Sequence, residues 1–287
     1  MMAKGLSFQG TGKKAFLIAS LLVAISAFAL STVALISDRL AVAAERILDD
    51  PGTEEKDVFD ISELSIPAYR EAIRTLEKAR TLAPLNSDHA LSLAALYSRI
   101  NVWQETMQTM GAAVPDDLPP AKALRDAVFR NARKAVALDP ANADHLLALG
   151  QMYAADGMRE AAVEQLMKAI NAYPVNGAIR YAAAMQMMMI GLREQAREQA
   201  RLLAGIDDSY RLDDDDPASS LIRERKQPDY EARLAGSYLY RAMEITWRTS
   251  ARDPRAVMAT VPDTIDAREV ARMFFEQKGI EVDVNKK

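Results

Sequence analysis

The sequence contains no cysteine among its 287 residues. This absence excludes disulfide bonds, thiolate metal sites, cysteine nucleophiles and lipid attachment through an N-terminal cysteine. Aromatic residues make up only 6% of the chain, and few β-branched or aromatic residues alternate with apolar-polar period two. Because such alternation marks half-buried strands, its scarcity predicts an all-α protein.

Charge is almost absent from the N-terminal region, where Lys4, Lys13 and Lys14 are the only charged residues before Asp38. The apolar run at 15–37 rises about 34 Å as a helix, which suits a hydrocarbon core of about 30 Å. We therefore predict a basic cytoplasmic leader at 1–14 and a transmembrane anchor at 15–37. Everything after the anchor would lie across the membrane, so in a bacterium the prediction is a single-pass inner-membrane protein with its bulk in the periplasm.

A cleaved signal peptide is the alternative interpretation of this run, since Ala27 and Ala29 form a small-x-small pair. That pair lies in the middle of the run, however, and the apolar part of a signal peptide is usually only about 7 to 15 residues long. The sequence therefore favours an anchor over a cleaved signal peptide. Residues 38–64 follow as a juxtamembrane stem and linker, in which 38–50 keep an apolar helical face before Pro51.

Nucleic acid is disfavoured as a ligand by the charge of the chain. Removing the three leader lysines from the net charge of −4 leaves −7. A nucleic-acid-binding surface needs clustered positive charge to meet phosphates.

The clearest helical pattern runs from Asn142 to Pro174 and predicts one helical hairpin. Its first apolar stripe precedes a break at Gly157, which accepts turn conformations that other residues resist. Its second stripe ends before Pro174. Small residues in both helices, among them Gly150 and Ala162, allow the two helices to approach closely.

The spacing of Leu149, Gly150, Tyr153, Gly157, Ala162, Ala169 and Pro174 resembles that of the tetratricopeptide repeat family, a 34-residue helix-turn-helix module. The resemblance implies a solenoid of stacked hairpins, which we place at 65–210. It is specific for the fold and says nothing about the ligand. A weaker copy of the pattern begins at Gly177 and includes Tyr181, Ala184 and Gly191.

An internal repeat supports this interpretation, because residues 84–97 align with residues 140–153 at an offset of 56. The intervening repeat is therefore about 22 residues longer than the 34-residue module. We place the extra material at 99–121, between its two helices. Insertions of this kind often make contacts, and Trp103 is the candidate contact residue, although it could equally extend the first helix and cover the core.

The segment 65–84 matches the second helix of a repeat, but no first helix with an apolar stripe precedes it at 53–64. Two interpretations stay open. Either the stem helix takes the place of the missing first helix, or the solenoid opens with a half repeat, as stacked arrays often do at their ends.

The resemblance implies that first helices line a concave wall, where a partner helix or extended peptide would bind. The residues predicted to face this wall are Leu91, Arg99, Leu147, Gln151, Tyr181, Met185, Met188 and Met189. Methionine suits adaptable binding surfaces and irregular cores alike, so core packing remains the other interpretation of the three methionines. The carboxylate clamp that some members of the family use is not reproduced at these positions.

No residue pattern marks an active site. The only two histidines, His89 and His145, occupy equivalent places in successive repeats, which separates them by about one repeat. The sequence also lacks a nucleophile elbow, a glycine-rich strand-to-helix turn and a metal-ligand spacing. We therefore predict no catalytic residue, no metal site and no cofactor, and a protein that is not an enzyme.

After the solenoid the composition changes, and we predict a charged linker at 211–228 and a C-terminal helical cap at 229–287. Together these features predict a scaffold or adaptor that binds other proteins at the inner membrane. By analogy of fold alone, it would serve an envelope assembly such as polysaccharide export or polymerisation, cytochrome c maturation or pilus biogenesis. The alternatives are a periplasmic glycan- or peptide-binding module and a non-catalytic subunit of a membrane enzyme complex.

Overall fold

The computed structural model describes residues 31–44, 66–206 and 237–284, and every element in these ranges is a helix, a turn or a loop. The helices in chain order are α1 (residues 31–44), α2 (Ile66–Leu82), α3 (Ser87–Thr109), α4 (Ala121–Leu138), α5 (Ala143–Ala155), α6 (Arg159–Ala172), α7 (Gly177–Met189), α8 (Arg193–Ile206), α9 (Tyr238–Thr249), α10 (Pro254–Met258) and α11 (Ile265–Gln277). The all-α prediction is confirmed for these residues.

Several predicted segments lie outside the described residues. They are the leader at 1–14, the anchor up to residue 30, the stem from residue 45 to 64, the linker at 211–228 and the first residues of the cap. Within the described ranges, no helix is both long enough and apolar enough to cross a membrane.

The chain divides into two compact units, Met1–Leu138 and Asp139–Lys287, and the predicted solenoid at 65–210 contributes to both. In the first unit, α1 packs against the hairpin of α2 and α3. Ala44 joins a buried cluster with residues of both helices, Leu76 and Leu93 among them. Ser37 is fully buried, and its Oγ donates a hydrogen bond to the carbonyl oxygen of Ala79 at 2.9 Å. Helix α1 combines the last residues of the predicted anchor (31–37) with the first residues of the predicted stem (38–44). Its contacts agree with the interpretation in which a helix from this region takes the place of the missing first helix beside α2.

The helix α3 is longer than the repeat pattern implies, because it continues through Thr109 into the segment predicted as an insertion. The remainder of that segment is a loop whose Leu118 turns inward. Leu118 forms a second buried cluster with Ile66, Ile100, Trp103 and Leu124. The insertion therefore adds core to the first unit.

The second unit begins with the hairpin of α5 and α6, and its helices lie where the sequence pattern predicts them. Gly157 forms the turn with φ of +75°, and the amide of Met158 donates to the carbonyl oxygen of Tyr153 at 2.9 Å. Gly150 lies directly against Leu166, so a Cβ at this position would stand 2.9 Å from the Leu166 side chain. The close approach predicted from the small residues is therefore present.

The hairpin of α7 and α8 repeats this arrangement and contains a buried cation. The Nη1 of Arg180 donates to Gln199, and its Nη2 donates to the carbonyl oxygen of Pro174 at 2.8 Å. Burial of the guanidinium group lowers the pKa of Arg180. The hydrogen bonds of Arg180 join the α6–α7 turn to α8.

The C-terminal helices share one core with α7 and α8. Leu239, Met243, Phe274 and Phe275 are all buried in it together with Leu203. The rings of Phe274 and Phe275 meet edge to face with centroids 5.5 Å apart. Since α9 packs against both α7 and α8, it covers this hairpin much as α7 covers the hairpin before it.

Candidate partner-binding face

Six of the eight predicted wall residues lie in the second unit, on the adjacent helices α5 and α7. Side-chain caps fix where both helices begin. The Oδ1 of Asn142 accepts from the amide of Asp144 at 3.1 Å, and the Oδ1 of Asn176 accepts from the amide of Ile179 at 3.1 Å. Because a cap of this kind satisfies otherwise unpaired amides, it sets the register of the residues that follow.

On α7 the predicted residues recur at the spacing of one helical face, and they differ in burial. Tyr181, Met185 and Met188 are half-buried and pack against the core of the second unit. Met189 has 64% of its surface exposed. The core-packing interpretation therefore holds in part for Met185 and Met188, while Met189 is available for contact.

On α5 the two predicted residues also divide into an inner and an outer position. Leu147 is half-buried against the same core that α7 contacts, and Gln151, one turn later, is exposed. Helices α5 and α7 contact each other directly. Four of the six residues, Leu147, Tyr181, Met185 and Met188, pack against this one core. We call the surface of α5 and α7 that carries the six predicted residues the α5–α7 face.

Sequence reasoning missed the third contributor to this face, which is α9. The guanidinium carbon of Arg241 lies 4.9 Å above the ring centre of Tyr181, a cation–π geometry, and 5.8 Å from that of Tyr238. The Tyr238 ring in turn lies against Gly177, where a Cβ would approach it to 2.4 Å. The α5–α7 face therefore has the positive charge of Arg241 beside Tyr181.

The other two predicted wall residues, Leu91 and Arg99, lie on α3 in the first unit. Leu91 is half-buried and Arg99 is exposed. The Nη1 of Arg99 donates to the hydroxyl of Tyr69 at 3.4 Å. The α5–α7 face belongs to the second unit and does not include them.

Trp103 is not a surface contact, and the prediction that it marks a contact site of the insertion is wrong. Only 5% of its surface is exposed, and its neighbours are the core residues Ile100, Leu118 and Leu124. The physical reason is that the loop after α3 folds over the indole ring. Of the two roles considered for this residue, covering the core is the one observed.

The two histidines are buried and lie in different units. The Nδ1 of His89 is 3.4 Å from the Oγ of Ser37, and its Nε2 is 3.4 Å from the Nδ2 of Asn86. Burial lowers the pKa of His89, although Asp38 and Asp88 oppose this shift. His145 is 2% exposed, and its backbone amide donates to the Asn142 cap. Among the described residues, no group of three histidine or carboxylate side chains is arranged to hold a metal ion.

A separate polar concavity of about 350 Å³ lies at the turn end of the second unit. It is lined by Asp139, Ala141, Asn142, Ala143, Asp144, Tyr173, Asn176 and Ile179. Tyr173 is 56% exposed, so part of its ring is available to a ligand. Sequence spacing gave no signal for this concavity, because it is formed by two turns that are 34 residues apart.

Comparison with known proteins gives structural neighbours only. No protein-family model and no curated protein matches the chain. The chain is similar to a crystal structure of MamA protein, with 16% identity, a TM-score of 0.43, and 85% of this chain and 98% of that chain covered. A second crystal structure of MamA matches with 17% identity, a TM-score of 0.42, and 78% and 98% coverage. A structure described as MamA MSR-1 C2 matches with 15% identity, a TM-score of 0.38, and 83% and 99% coverage.

Proposed function

We propose that this protein is a non-catalytic scaffold that binds a segment of a partner protein on its α5–α7 face. The observation that carries this proposal is the mixture on that face of half-buried Leu147 and Tyr181 with exposed Gln151 and Met189. Such a surface offers apolar contact with polar positions at its margin. A helix or an extended peptide is the ligand that suits it.

The chemistry of the face favours a ligand that combines apolar and acidic residues. Three methionines give an adaptable apolar surface, because the unbranched side chain changes rotamer easily. Arg241 lies over Tyr181 at the α9 side and can pair with a carboxylate of the ligand. An amphipathic helix with one acidic flank would meet both requirements.

The anchor belongs to the same proposal. We place it at 15–37, with the folded units in the periplasm, and the three leader lysines and the uncharged run support this location. An anchored scaffold of this kind would serve an envelope assembly, and the partner would be one of its components. Identifying the partner protein would also identify the assembly.

Site-specific photo-crosslinking in native membranes tests the binding face. A photoreactive amino acid at Met189 should crosslink a discrete partner, because this side chain is 64% exposed on the proposed face. The matched control is the same amino acid at Ile265, which is 83% exposed at the start of α11 in the same unit. The crosslinked protein would be identified, purified and mixed with the full chain to measure its affinity.

A crosslink from position 189 that is absent from position 265 supports the proposal, provided that the purified partner binds. Equal crosslinking from both positions, or none from position 189 in intact membranes, would contradict it. Both variants should retain their helical circular dichroism, since each substitution replaces an exposed side chain.

The second candidate function is binding of a glycan, and the polar concavity at the turn end is the observation that favours it. Planar amide and carboxylate groups, with the partly exposed ring of Tyr173, are a combination that recognises sugar hydroxyl groups and sugar faces. Direct binding of periplasmic polysaccharide by the purified chain, lost in Tyr173→Ala and retained in Met189→Asp, would favour this function over the scaffold.

A further inference from the structure

The turn between α2 and α3 exposes two leucines at one end of the first unit. Leu82 is 40% exposed and Leu85 is 80% exposed. The turn is closed by two backbone hydrogen bonds, from the amide of Ala83 to the carbonyl oxygen of Ala79 at 2.9 Å and from the amide of Asn86 to that of Ala83 at 3.1 Å. Single exposed leucines are common in proteins, so their meaning depends on where the turn lies.

The contacts of α1 place this turn beside the predicted anchor. Ser37 contacts the carbonyl oxygen of Ala79 near the C-terminal end of α2, whereas Ala44 lies in a cluster with Leu76 and Ala72, which are earlier in α2. Helix α1 therefore runs antiparallel to α2. Moving along α1 toward the anchor means moving along α2 toward the turn.

The level of the turn along α1 follows from the helical rise. Leu82 is three residues beyond Ala79, which is about 4.5 Å, and the same distance back from Ser37 reaches residue 34. A hydrocarbon core of about 30 Å takes about 20 helical residues, so the anchor proposed above, counted from residue 15, would reach the far edge of the core near residue 34. With that anchor in place, Leu82 would be level with the edge of the hydrocarbon core, so this step rests on the proposed function.

The surface around the turn has the composition that this location needs. No charged residue occurs between Arg80 and Asp88, nor between residues 31 and 37 of α1. Leu35 is 56% exposed on α1 at the same level. The cation of Arg80, which precedes the turn, is engaged on α4, because its Nη1 donates to the Oδ1 of Asn131 at 2.7 Å.

We propose that the α2–α3 turn rests on the lipid bilayer beside the anchor, with Leu85 in the boundary between head groups and acyl chains. Apolar side chains bind at that depth, about 5 to 10 Å into the interface, without spanning the membrane. The first unit then has two attachments to the bilayer, α1 and this turn. The two attachments together fix its orientation at the membrane surface.

Depth-dependent fluorescence quenching tests this contact, and the natural chain simplifies the experiment because it has no cysteine. Single-cysteine variants of the full chain, Leu85→Cys, Met110→Cys and Leu22→Cys, are labelled with an environment-sensitive dye and reconstituted into liposomes containing doxyl-labelled lipid. Met110 is the matched control, since it is 70% exposed and lies at the far end of α3. Position 22 reports the anchor itself.

We expect doxyl lipid to reduce the emission about twofold from position 85, comparable to position 22, and to leave position 110 unchanged. If the dye at position 22 were quenched but the dyes at positions 85 and 110 were both quenched weakly and equally, the membrane contact of the turn would be refuted. The anchor would still be supported. An absence of quenching at all three positions would overturn the anchor and the turn contact together. Equal strong quenching at 85 and 110 would also overturn the inference, because the bilayer would then contact both ends of α3.

Discussion

The substitution Gly150→Ala tests whether the α5–α6 hairpin packs as closely as the structure indicates. On helix propensity alone, alanine should stabilise this position by about 0.5 to 1 kcal/mol, because glycine is a poor helix former. The structure predicts the opposite sign. A Cβ would stand 2.9 Å from Cγ and Cδ2 of Leu166 and 3.2 Å from its backbone nitrogen.

The magnitude follows from how little Leu166 can move. Its side chain is fully buried in the core of the second unit, so any movement must displace neighbouring core side chains, and its backbone nitrogen is also within 3.2 Å of the added Cβ. Overpacking of this kind costs about 1 to 3 kcal/mol, from which the propensity gain must be subtracted. Subtracting the gain of about 0.5 to 1 kcal/mol leaves a net loss of up to about 2.5 kcal/mol in the free energy of unfolding.

Urea unfolding of the second unit is the assay. The chain has two tryptophans, Trp103 in the first unit and Trp247 in the second. In a Trp103→Phe background the fluorescence of Trp247 therefore follows the second unit alone, which avoids assuming one transition for the whole chain. With a urea m-value of about 2 kcal/mol/M, each kcal/mol of lost stability should lower the urea midpoint by about 0.5 M.

The matched control is Gly205→Ala on α8, where nothing lies within 4 Å of the added Cβ. This substitution should be neutral or stabilise by up to about 1 kcal/mol. If Gly150→Ala stabilised the second unit as much as Gly205→Ala, the close approach of α5 and α6 would be refuted.

Three further substitutions test other contacts. Gly177→Ala should lower the stability of the second unit by about 1 to 3 kcal/mol, since its Cβ would meet the Tyr238 ring; no change in urea midpoint would show that α9 does not dock there. Phe274→Ala should cost about 3 to 5 kcal/mol, because the ring is fully buried, and a loss below 1 kcal/mol would contradict that core. Burial lowers the folded-state pKa of His89, so its contribution to stability is present above its unfolded pKa of about 6.5 and is lost as pH falls through the lower folded value. The urea midpoint of the first unit should therefore decrease as the pH is lowered below about 6.5. The substitution His89→Gln should remove this part of the pH dependence. If the pH profile of the variant were unchanged, the assignment to His89 would be refuted.

Local patterns predicted the hairpins well because the signals are close in sequence. Gly157 takes a positive φ at the turn where the pattern breaks, and α6 ends two residues before Pro174. The aligned residues Asn86 and Asn142 both cap first helices, as their shared place in the internal repeat implies.

Contacts between distant segments could not be predicted in the same way. The partner helix of α2 is α1, which precedes it by 21 residues, and no spacing rule specifies that pairing. Arg241 reaches Tyr181 from α9, across the segment at 207–236. Trp103 had two interpretations because an apolar residue in an insertion can cover a core or contact a partner, and only the position of Leu118 distinguishes them.

The affinity of the crosslinked partner for variants of the α5–α7 face is the most direct measurement of the central claim. Met189→Asp places a charge on the proposed face, whereas Ile265→Asp changes a more exposed residue away from it. We predict that Met189→Asp raises the Kd about tenfold or more and that Ile265→Asp leaves it unchanged. Equal affinities for both variants, with the fold intact, would contradict the claim that this face binds the partner.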